Sequence, residues 1–182
     1  MKILVIGDTH GKLHRVRDIW QKLTDVDLIL HTGDHYSDAK ALEKELPVPV
    51  TAVRGNCDGG SRQDFEVIET EYGNVLLTHG HCQSVDTSLD RLGYFAMEKG
   101  CCAAVYGHTH RASVIEDNGI YLINPGSLTL PRDNSGGSYA IIRTREDDFA
   151  ASVVYYTTVF RNNKKPGGSG FIKNILNHSD RL

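Results

Sequence analysis

The chain has 182 residues, of which 40% are hydrophobic and 24% charged, and its formal net charge is -3. This length and composition predict one globular domain with a sizeable core. The acidic balance weighs against a broadly basic nucleic-acid surface, and the longest apolar stretch is too short to span a membrane, so we expect neither partner.

The cysteines show neither a Cys-x-x-Cys pair nor the spacing of a disulfide framework. We therefore expect free thiols and a reduced, cytoplasmic protein. The short apolar run at the start of the chain, broken by Gly7 and Asp8, predicts a first strand rather than a signal peptide. The cysteines are Cys57, Cys82, Cys101 and Cys102.

The first half of the chain alternates predicted strands with predicted helices. Apolar residues at helical spacing predict one helix between Leu13 and Leu23, and a shorter one at residues 38–46 is ended by Pro47. This alternation indicates a parallel sheet with right-handed crossovers. The predicted strands are Lys2–Ile6, Leu28–His31 and residues 48–53.

The second half is mostly strand. A hairpin is predicted around Tyr72-Gly73-Asn74, a helix at residues 85–100, and a second hairpin turn at Asp117-Asn118-Gly119. Two sheets back to back with helices outside account for these elements better than one sheet does. The predicted strands are residues 65–70, Asn74–Thr78, 103–106, 112–116, 120–123, 138–144 and 151–160.

The last 22 residues differ in composition from the rest. Residues 161–170 are polar and rich in Pro and Gly, which is typical of a linker. Apolar residues at helical spacing follow and predict a short C-terminal helix, either frayed or docked. We therefore divide the chain into a domain at residues 1–160 and a tail at residues 161–182.

Five predicted strands end in clusters of Asp, Asn and His. Open α/β sheets bind ligands at the carboxyl ends of their strands, so the clusters predict a site at the same edge of one sheet. These side chains are ligands of divalent metals. The clusters are Gly7-Asp8-Thr9-His10, Gly33-Asp34, Gly55-Asn56-Cys57-Asp58, His79-Gly80-His81 and Gly107-His108-Thr109-His110.

The number of ligands predicts two ions rather than one. Five histidines, two carboxylates and an amide exceed a tetrahedral site and suit two ions about 3.5–4 Å apart. A water bridging such ions loses a proton near neutral pH and can attack a phosphoryl group. Taken singly, Asp8 could instead cap the first helix, and the paired histidines could be ordinary loop residues. Their joint occurrence at successive strand ends favours the metal site.

The order and spacing of these clusters resemble the calcineurin-like metallophosphoesterase superfamily. Asn124-Pro125-Gly126-Ser127 and the short length resemble its small prokaryotic branch of phosphodiesterases. The resemblance implies a four-layer α/β/β/α sandwich of two mixed sheets packed face to face, with helices outside. It also implies that Asp8, His10 and His110 hold one metal, that Asn56, His79 and His108 hold the other, and that Asp34 bridges them.

The implied function is hydrolysis of a small phosphate diester by a hydroxide bridging two divalent metals. Manganese is the expected metal, with nickel, iron, cobalt and zinc as alternatives. Asn56 and His81 are the candidate catalytic residues. The resemblance places Asn56 to touch the substrate phosphate, and His81, next to the cluster, either supports the metal ligands or contacts the substrate. A homodimer or larger homo-oligomer is an open expectation. The alternatives are a phosphomonoesterase, a nuclease, or a scaffold that resembles the retromer small subunit.

One residue departs from the superfamily pattern. Many of its phosphatases carry a His after the motif Asn, where it protonates the leaving group, and here that position is Cys57. A neutral thiol, with an ordinary pKa of about 8.5, is a weaker acid for this purpose than imidazolium. The substitution predicts a preference for leaving groups of low pKa.

Overall fold

The computed structural model describes residues 1–60 and 64–160, which form ten strands and four α-helices. A short 3₁₀ turn covers His81–Gln83. The elements are β1 Lys2–Ile6, α1 His14–Trp20, β2 Leu28–His31, α2 Tyr36–Glu45, β3 Val50–Ala52, β4 Phe65–Ile68, β5 Asn74–Thr78, α3 Asp90–Glu98, β6 Cys101–Val105, β7 Ser113–Asp117, β8 Ile120–Asn124, β9 Ser138–Arg145, β10 Asp148–Tyr155 and α4 Tyr156–Val159.

The strands form two mixed five-stranded sheets. The first has the order β10-β9-β1-β2-β3, in which β1, β2 and β3 are parallel and β9 pairs antiparallel with both β1 and β10. The second has the order β4-β5-β6-β8-β7, in which β5, β6 and β8 are parallel and the two edge strands are antiparallel. The strand–helix alternation of the first half thus produces the parallel part of the first sheet, as predicted.

Side-chain alternation along the strands separates the layers. On β1, Ile3 and Val5 face the second sheet, where they pack with Val75 and Leu77 of β5. The opposite face of the first sheet packs against α1 and α2, and the opposite face of the second sheet packs against α3. This order of layers confirms the predicted α/β fold, a four-layer α/β/β/α sandwich.

Most predicted elements differ from the observed ones by one to three residues at an end, and two differ by more. The helix predicted at residues 85–100 begins only at Asp90, because residues 84–87 form a turn in which the Thr87 N–H donates to the Ser84 carbonyl oxygen at 2.9 Å. Val85 still packs in the same cluster as Leu92 and Ala96, so the helical spacing reflected burial rather than helix. The strand predicted at residues 151–160 begins earlier and ends at Tyr155, where α4 takes over.

The predicted tail at residues 161–182 lies outside the described residues. Within residues 1–60 and 64–160, no helix is both long and apolar enough to cross a membrane.

Candidate metal centre

The five predicted clusters converge at one end of the sandwich, but they come from both sheets. The ends of β1, β2 and β3 belong to the first sheet, and those of β5 and β6 to the second. The expectation of a single sheet edge was therefore wrong. Both sheets point the carboxyl ends of their parallel strands to the same end of the molecule, so loops from the two layers meet there.

The first set of side chains surrounds the end of β1. One donor atom from each of Asp8, His10, Asp34 and His110 lies within 4.8 Å of the others. The Nε2 atoms of His10 and His110 are 3.4 Å apart, and His110 Nε2 is 3.5 Å from Asp8 Oδ1. We call Asp8, His10 and His110 the Asp8 group.

The second set meets at an amide oxygen. Asn56 Oδ1 lies 3.0 Å from His79 Nε2 and 3.0 Å from His108 Nδ1. We call these three residues the Asn56 group. His79 Nε2 is also 3.5 Å from Asp34 Oδ1, so Asp34 stands between the two groups. The structure therefore brings together all seven predicted ligands.

Backbone carbonyls orient two of the imidazoles. His79 Nδ1 is 2.8 Å from the Thr32 carbonyl oxygen, and His110 Nδ1 is 2.8 Å from that of Leu130. Since a carbonyl only accepts, each Nδ1 must carry the proton and each Nε2 presents a lone pair to the centre. At Asn56 the His79 lone pair then faces another acceptor, an arrangement that a cation stabilises.

Burial favours the neutral form of two of the four ligand imidazoles. It lowers the pKa of His10 and of His108, and a neighbouring histidine lowers each further. Burial also acts to lower the pKa of His110, but the negative charge of Asp8, whose Oδ1 is 3.5 Å from His110 Nε2, helps to raise it overall. A metal ion must therefore compete with a proton for His110 at acid pH.

Asp8 shows most clearly that the site fits a cation. Its side chain is fully buried, and neither carboxylate oxygen has a hydrogen-bond partner among the described residues. Burying an uncompensated carboxylate costs on the order of several kcal/mol. Asp8 does not cap α1, which begins at His14 without a side-chain cap. The donor set of carboxylate, amide and imidazole groups suits a divalent metal.

The ligand backbones are themselves unusual. Five of the seven predicted ligands have positive φ, which costs a non-glycine residue of order 1–3 kcal/mol. Glycines allow the close approach of the loops: a Cβ at Gly55 would collide with the Asp34 carboxylate, and one at Gly107 with Thr32. The five residues are Asp8 (48°), His10 (48°), Asp34 (50°), His108 (67°) and His110 (56°).

The turn after β8 braces both sides of the centre. The fully buried Asn124 donates from Nδ2 to the Gly107 carbonyl oxygen at 3.0 Å. Ser127 donates from Oγ to the carbonyl oxygen of Asp8 at 2.9 Å. Both side chains donate to backbone carbonyl oxygens of the ligand loops. The turn Asn124-Pro125-Gly126-Ser127 therefore supports these loops.

A buried network that sequence reasoning missed holds the loop after β1. The Gly33 N–H donates to His31 Nδ1 at 3.2 Å, which leaves His31 Nε2 to donate to Thr9 Oγ1 at 3.0 Å. The Thr9 hydroxyl in turn donates to Asp38 Oδ2 at 2.6 Å. The sequence carries no pattern for this chain of contacts, because α2 brings Asp38 to the loop only in the folded protein.

The two remaining candidates lie beside the centre. The His81 ring centroid is 5.2 Å from that of His79, but its Nε2 faces Cys82 Sγ at 3.4 Å. The Cys57 N–H donates to Asp34 Oδ1 at 3.0 Å. Burial and the adjacent Asp34 carboxylate raise the pKa of the Cys57 thiol, so the thiol is neutral at pH 7.

Comparison with known proteins gives the family. Residues 1–147 match the model of the calcineurin-like phosphoesterase superfamily domain. The chain is 36% identical over 160 residues to the probable metallophosphoesterase YsnB of Bacillus subtilis, covering 86% of this chain and 90% of YsnB. It is 29% identical to the phosphodiesterase YfcE of Escherichia coli, covering 78% and 87% of the two chains. The protein belongs to the calcineurin-like phosphoesterase superfamily.

Solved structures agree on the fold. A predicted phosphoesterase from Streptococcus pneumoniae superposes with a TM-score of 0.72 at 26% identity, covering 85% of this chain and 89% of that one. Zinc-bound Vps29 from Entamoeba histolytica gives a TM-score of 0.69 at 21% identity, covering 86% and 99%. Because its relatives are metallophosphoesterases, membership of this family indicates that the protein is a metal-dependent hydrolase of phosphoesters.

Proposed function

We propose that the protein is a phosphodiesterase that hydrolyses a small phosphate diester at two divalent metal ions. The observation that carries the proposal is the convergence of two donor groups on Asp34, one around a buried Asp8 carboxylate that has no hydrogen-bond partner among the described residues. The name of YfcE, a relative, supports a diester as substrate.

The assignment of ligands follows the two groups. Asp8, His10 and His110 would hold one ion, Asn56, His79 and His108 the other, and Asp34 would contact both. Bound metals would supply an activated hydroxide and offset the charge that develops on the phosphoryl group. We expect manganese, with nickel, iron, cobalt and zinc as alternatives, because carboxylate, amide and imidazole ligands suit each of them.

The protein's own polar groups would then orient the substrate. Asn56 is exposed and turns its Oδ1 toward the two histidines. Its Nδ2 donates one N–H to Cys57 Sγ at 3.7 Å, and the other N–H remains available to a phosphate oxygen. His81 is half-buried beside the Asn56 group and is proposed to contact the substrate. The neutral thiol of Cys57 offers little acid catalysis, which favours leaving groups of low pKa.

Three related expectations belong to the same proposal. The four cysteines are free, which supports a reducing, cytoplasmic location. The substrate is expected to be a small phosphodiester rather than a nucleic acid or a membrane lipid. A homodimer or larger homo-oligomer stays a prediction that light scattering would test.

The competing functions are a phosphomonoesterase, a nuclease and a scaffold. The scaffold is the alternative from another class, since Vps29 shares the fold. The presence of all seven donor residues around one point favours chemistry. The net charge of -3 weighs against a nuclease.

Hydrolysis after reconstitution with single metals separates these functions. With manganese, we expect release of nitrophenol from bis(4-nitrophenyl) phosphate, and little from the monoester 4-nitrophenyl phosphate. His79→Ala should lower the diester rate by at least about a hundredfold, since it removes a donor from the centre. The matched control is His14→Ala, an exposed histidine on α1.

Each other outcome points elsewhere. Faster turnover of the monoester would indicate a phosphomonoesterase. No turnover with any of the five metals would support the scaffold. An active His79→Ala variant would mean that the assigned centre is not the site of hydrolysis.

A further inference from the structure

A cavity of about 430 Å³ opens beside the proposed metal centre. His108 lines it and also belongs to the Asn56 group, so the cavity and the centre share a wall. Val85, Leu89 and Tyr106 give another wall that is apolar apart from the Tyr106 hydroxyl. That volume lies in the usual range for small-molecule sites. The cavity is therefore placed to receive the part of a substrate that projects from its scissile phosphate.

Two arginines line the same cavity, and the backbone ties both to a metal ligand. Arg111 directly follows His110 in the chain, and the Arg132 N–H donates to the His110 carbonyl oxygen at 3.0 Å. Two residues before Arg132, the Leu130 carbonyl oxygen accepts from His110 Nδ1. A movement of either arginine backbone would thus disturb His110, so both side chains start from backbone positions that are fixed relative to the centre.

Neither guanidinium has a hydrogen bond or an ion pair within residues 1–60 and 64–160. The nearby Asp133 carboxylate is instead occupied by the N–H groups of Ala112 and Ser135. Asp86 is the one acidic residue that lines the cavity, and it makes no ion pair there among the described residues. The cavity thus holds two unpaired positive charges against one negative charge.

We propose that this cavity binds a second phosphate group, carried by a ring-containing alcohol of the diester. The inference rests on the proposed phosphodiesterase function and names the class of substrate. Guanidinium groups match phosphate oxygens in a bidentate fork, and two of them suit a dianion. The ring would pack on Val85, Leu89 and Tyr106, while the scissile phosphate reaches the metal centre past His108.

A matched pair of chromogenic diesters tests the subsite. Thymidine 5′-(4-nitrophenyl) phosphate and the same compound with a 3′-phosphate differ only by the second anion. In both, water adds to phosphorus, the bond to the nitrophenyl oxygen breaks, and 4-nitrophenolate and the nucleotide leave. The measurement is the ratio of kcat/KM for the 3′-phosphorylated compound to kcat/KM for the plain one.

We expect the manganese-loaded protein to prefer the 3′-phosphorylated compound by at least about tenfold at low salt, and less at high salt. Arg111→Gln and Arg132→Gln should each reduce this ratio severalfold, and Asp86→Asn should increase it. Arg145→Gln is the control, because this exposed residue lies at the opposite end of the first sheet, paired with Asp148. It should leave the ratio unchanged.

The failures are distinguishable. A ratio near one in the unmodified protein, or a ratio that the two arginine variants leave unchanged, would overturn the subsite while the diesterase function stands. If neither compound releases nitrophenolate, the proposed function is wrong and the subsite is lost with it.

Discussion

The Asp8 group and the Asn56 group differ in how the protein holds them. Asp8 is fully buried and His110 nearly so, and hydrogen bonds from Ser127 and Thr129 fix the Asp8 carbonyl oxygen. Asn56 is exposed and His108 is half-buried. The Asp8 group is thus the more buried of the two, although His10 is half-buried, and the Asn56 group is the more open to solvent, although His79 is fully buried. Under the proposed function, we expect the Asp8 group to hold its metal more tightly and the Asn56 group to meet the substrate.

Asp34 joins the two groups, so its substitution should have the largest effect. Asp34→Asn keeps the shape but removes the charge shared by both, and we expect diester hydrolysis to fall about a hundred- to a thousandfold. Metal content, measured by atomic emission on the same sample, should fall as well. Glu45→Gln, which alters an exposed ion pair with Arg17, should affect neither quantity. If the Asp34→Asn variant kept full metal content and full rate, Asp34 would not be the residue that links the two groups.

The network beneath the Asp8 group should make the protein sensitive to acid. Burial lowers the pKa of His31 from 6.5 to about 4 in the folded protein. Between these two pH values, the His31 side chain is therefore protonated in the unfolded chain and neutral in the folded protein. Stability should be constant above pH 6.5, fall as the pH drops, and level off below about 4, with a loss of about 3 kcal/mol.

Urea unfolding with excess chelator at pH 7, 5.5 and 4.5 would measure this slope free of metal binding. His31→Gln supplies the control, since its amide can accept from Gly33 and donate to Thr9 but does not titrate. Identical slopes in the two proteins would show that His31 is not the acid-sensitive group.

The buried Asp8 carboxylate should lower the stability of the metal-free protein. Asp8→Asn removes a buried charge that has no hydrogen-bond partner in the described part of the chain, so we expect the metal-free protein to gain about 2 kcal/mol, or about 4–8 °C in Tm. With manganese present the order should reverse, because only the unmodified protein gains from binding. Calorimetry with and without metal measures both. Asp148→Asn, at an exposed position, should shift the free energy of unfolding by less than about 0.5 kcal/mol.

The smallest effect concerns the open side, where Cys57 stands next to Asn56. Cys57→His should speed the hydrolysis of diesters with poor, alkyl leaving groups by about tenfold, because imidazolium can protonate the departing oxygen. Diesters with nitrophenyl leaving groups should change little. Rates across a series of leaving groups check this, with Cys57→Ser as the control. A flat dependence on leaving-group pKa in the unmodified protein would contradict the role given to Cys57.

The sequence predicted which side chains come together better than it predicted the bounds of the elements around them. The strand-end clusters could be recognised because each closes an apolar run and contains a glycine. The choice of seven donors within the clusters came from the resemblance to the superfamily: Asp8, His10, Asp34, Asn56, His79, His108 and His110. The strand predicted at residues 151–160 was too long at its end: Tyr156 turns away there, held by an N–H bond to the Gly137 carbonyl oxygen and by Arg15 over its ring. Such tertiary contacts do not produce a periodic pattern of apolar residues in the sequence.

The supports of the centre were hidden for the same reason. The carbonyls of Thr32 and Leu130 orient His79 and His110, yet any residue type carries a carbonyl. The meeting of two sheets at one site also depends on packing between layers, which strand patterns alone do not report. Arg111 and Arg132 are ordinary exposed residues in sequence, and only the fold places them beside His108.

Stepwise removal of metal tests the central claim most directly. Protein reconstituted with manganese would be dialysed against rising chelator concentrations, with manganese per chain and diester hydrolysis measured on each sample. We predict about two ions per chain at the start. Activity should disappear with the loss of the first ion, while one ion stays bound to the buried Asp8 group. Full activity with one ion or none per chain would contradict the two-metal centre.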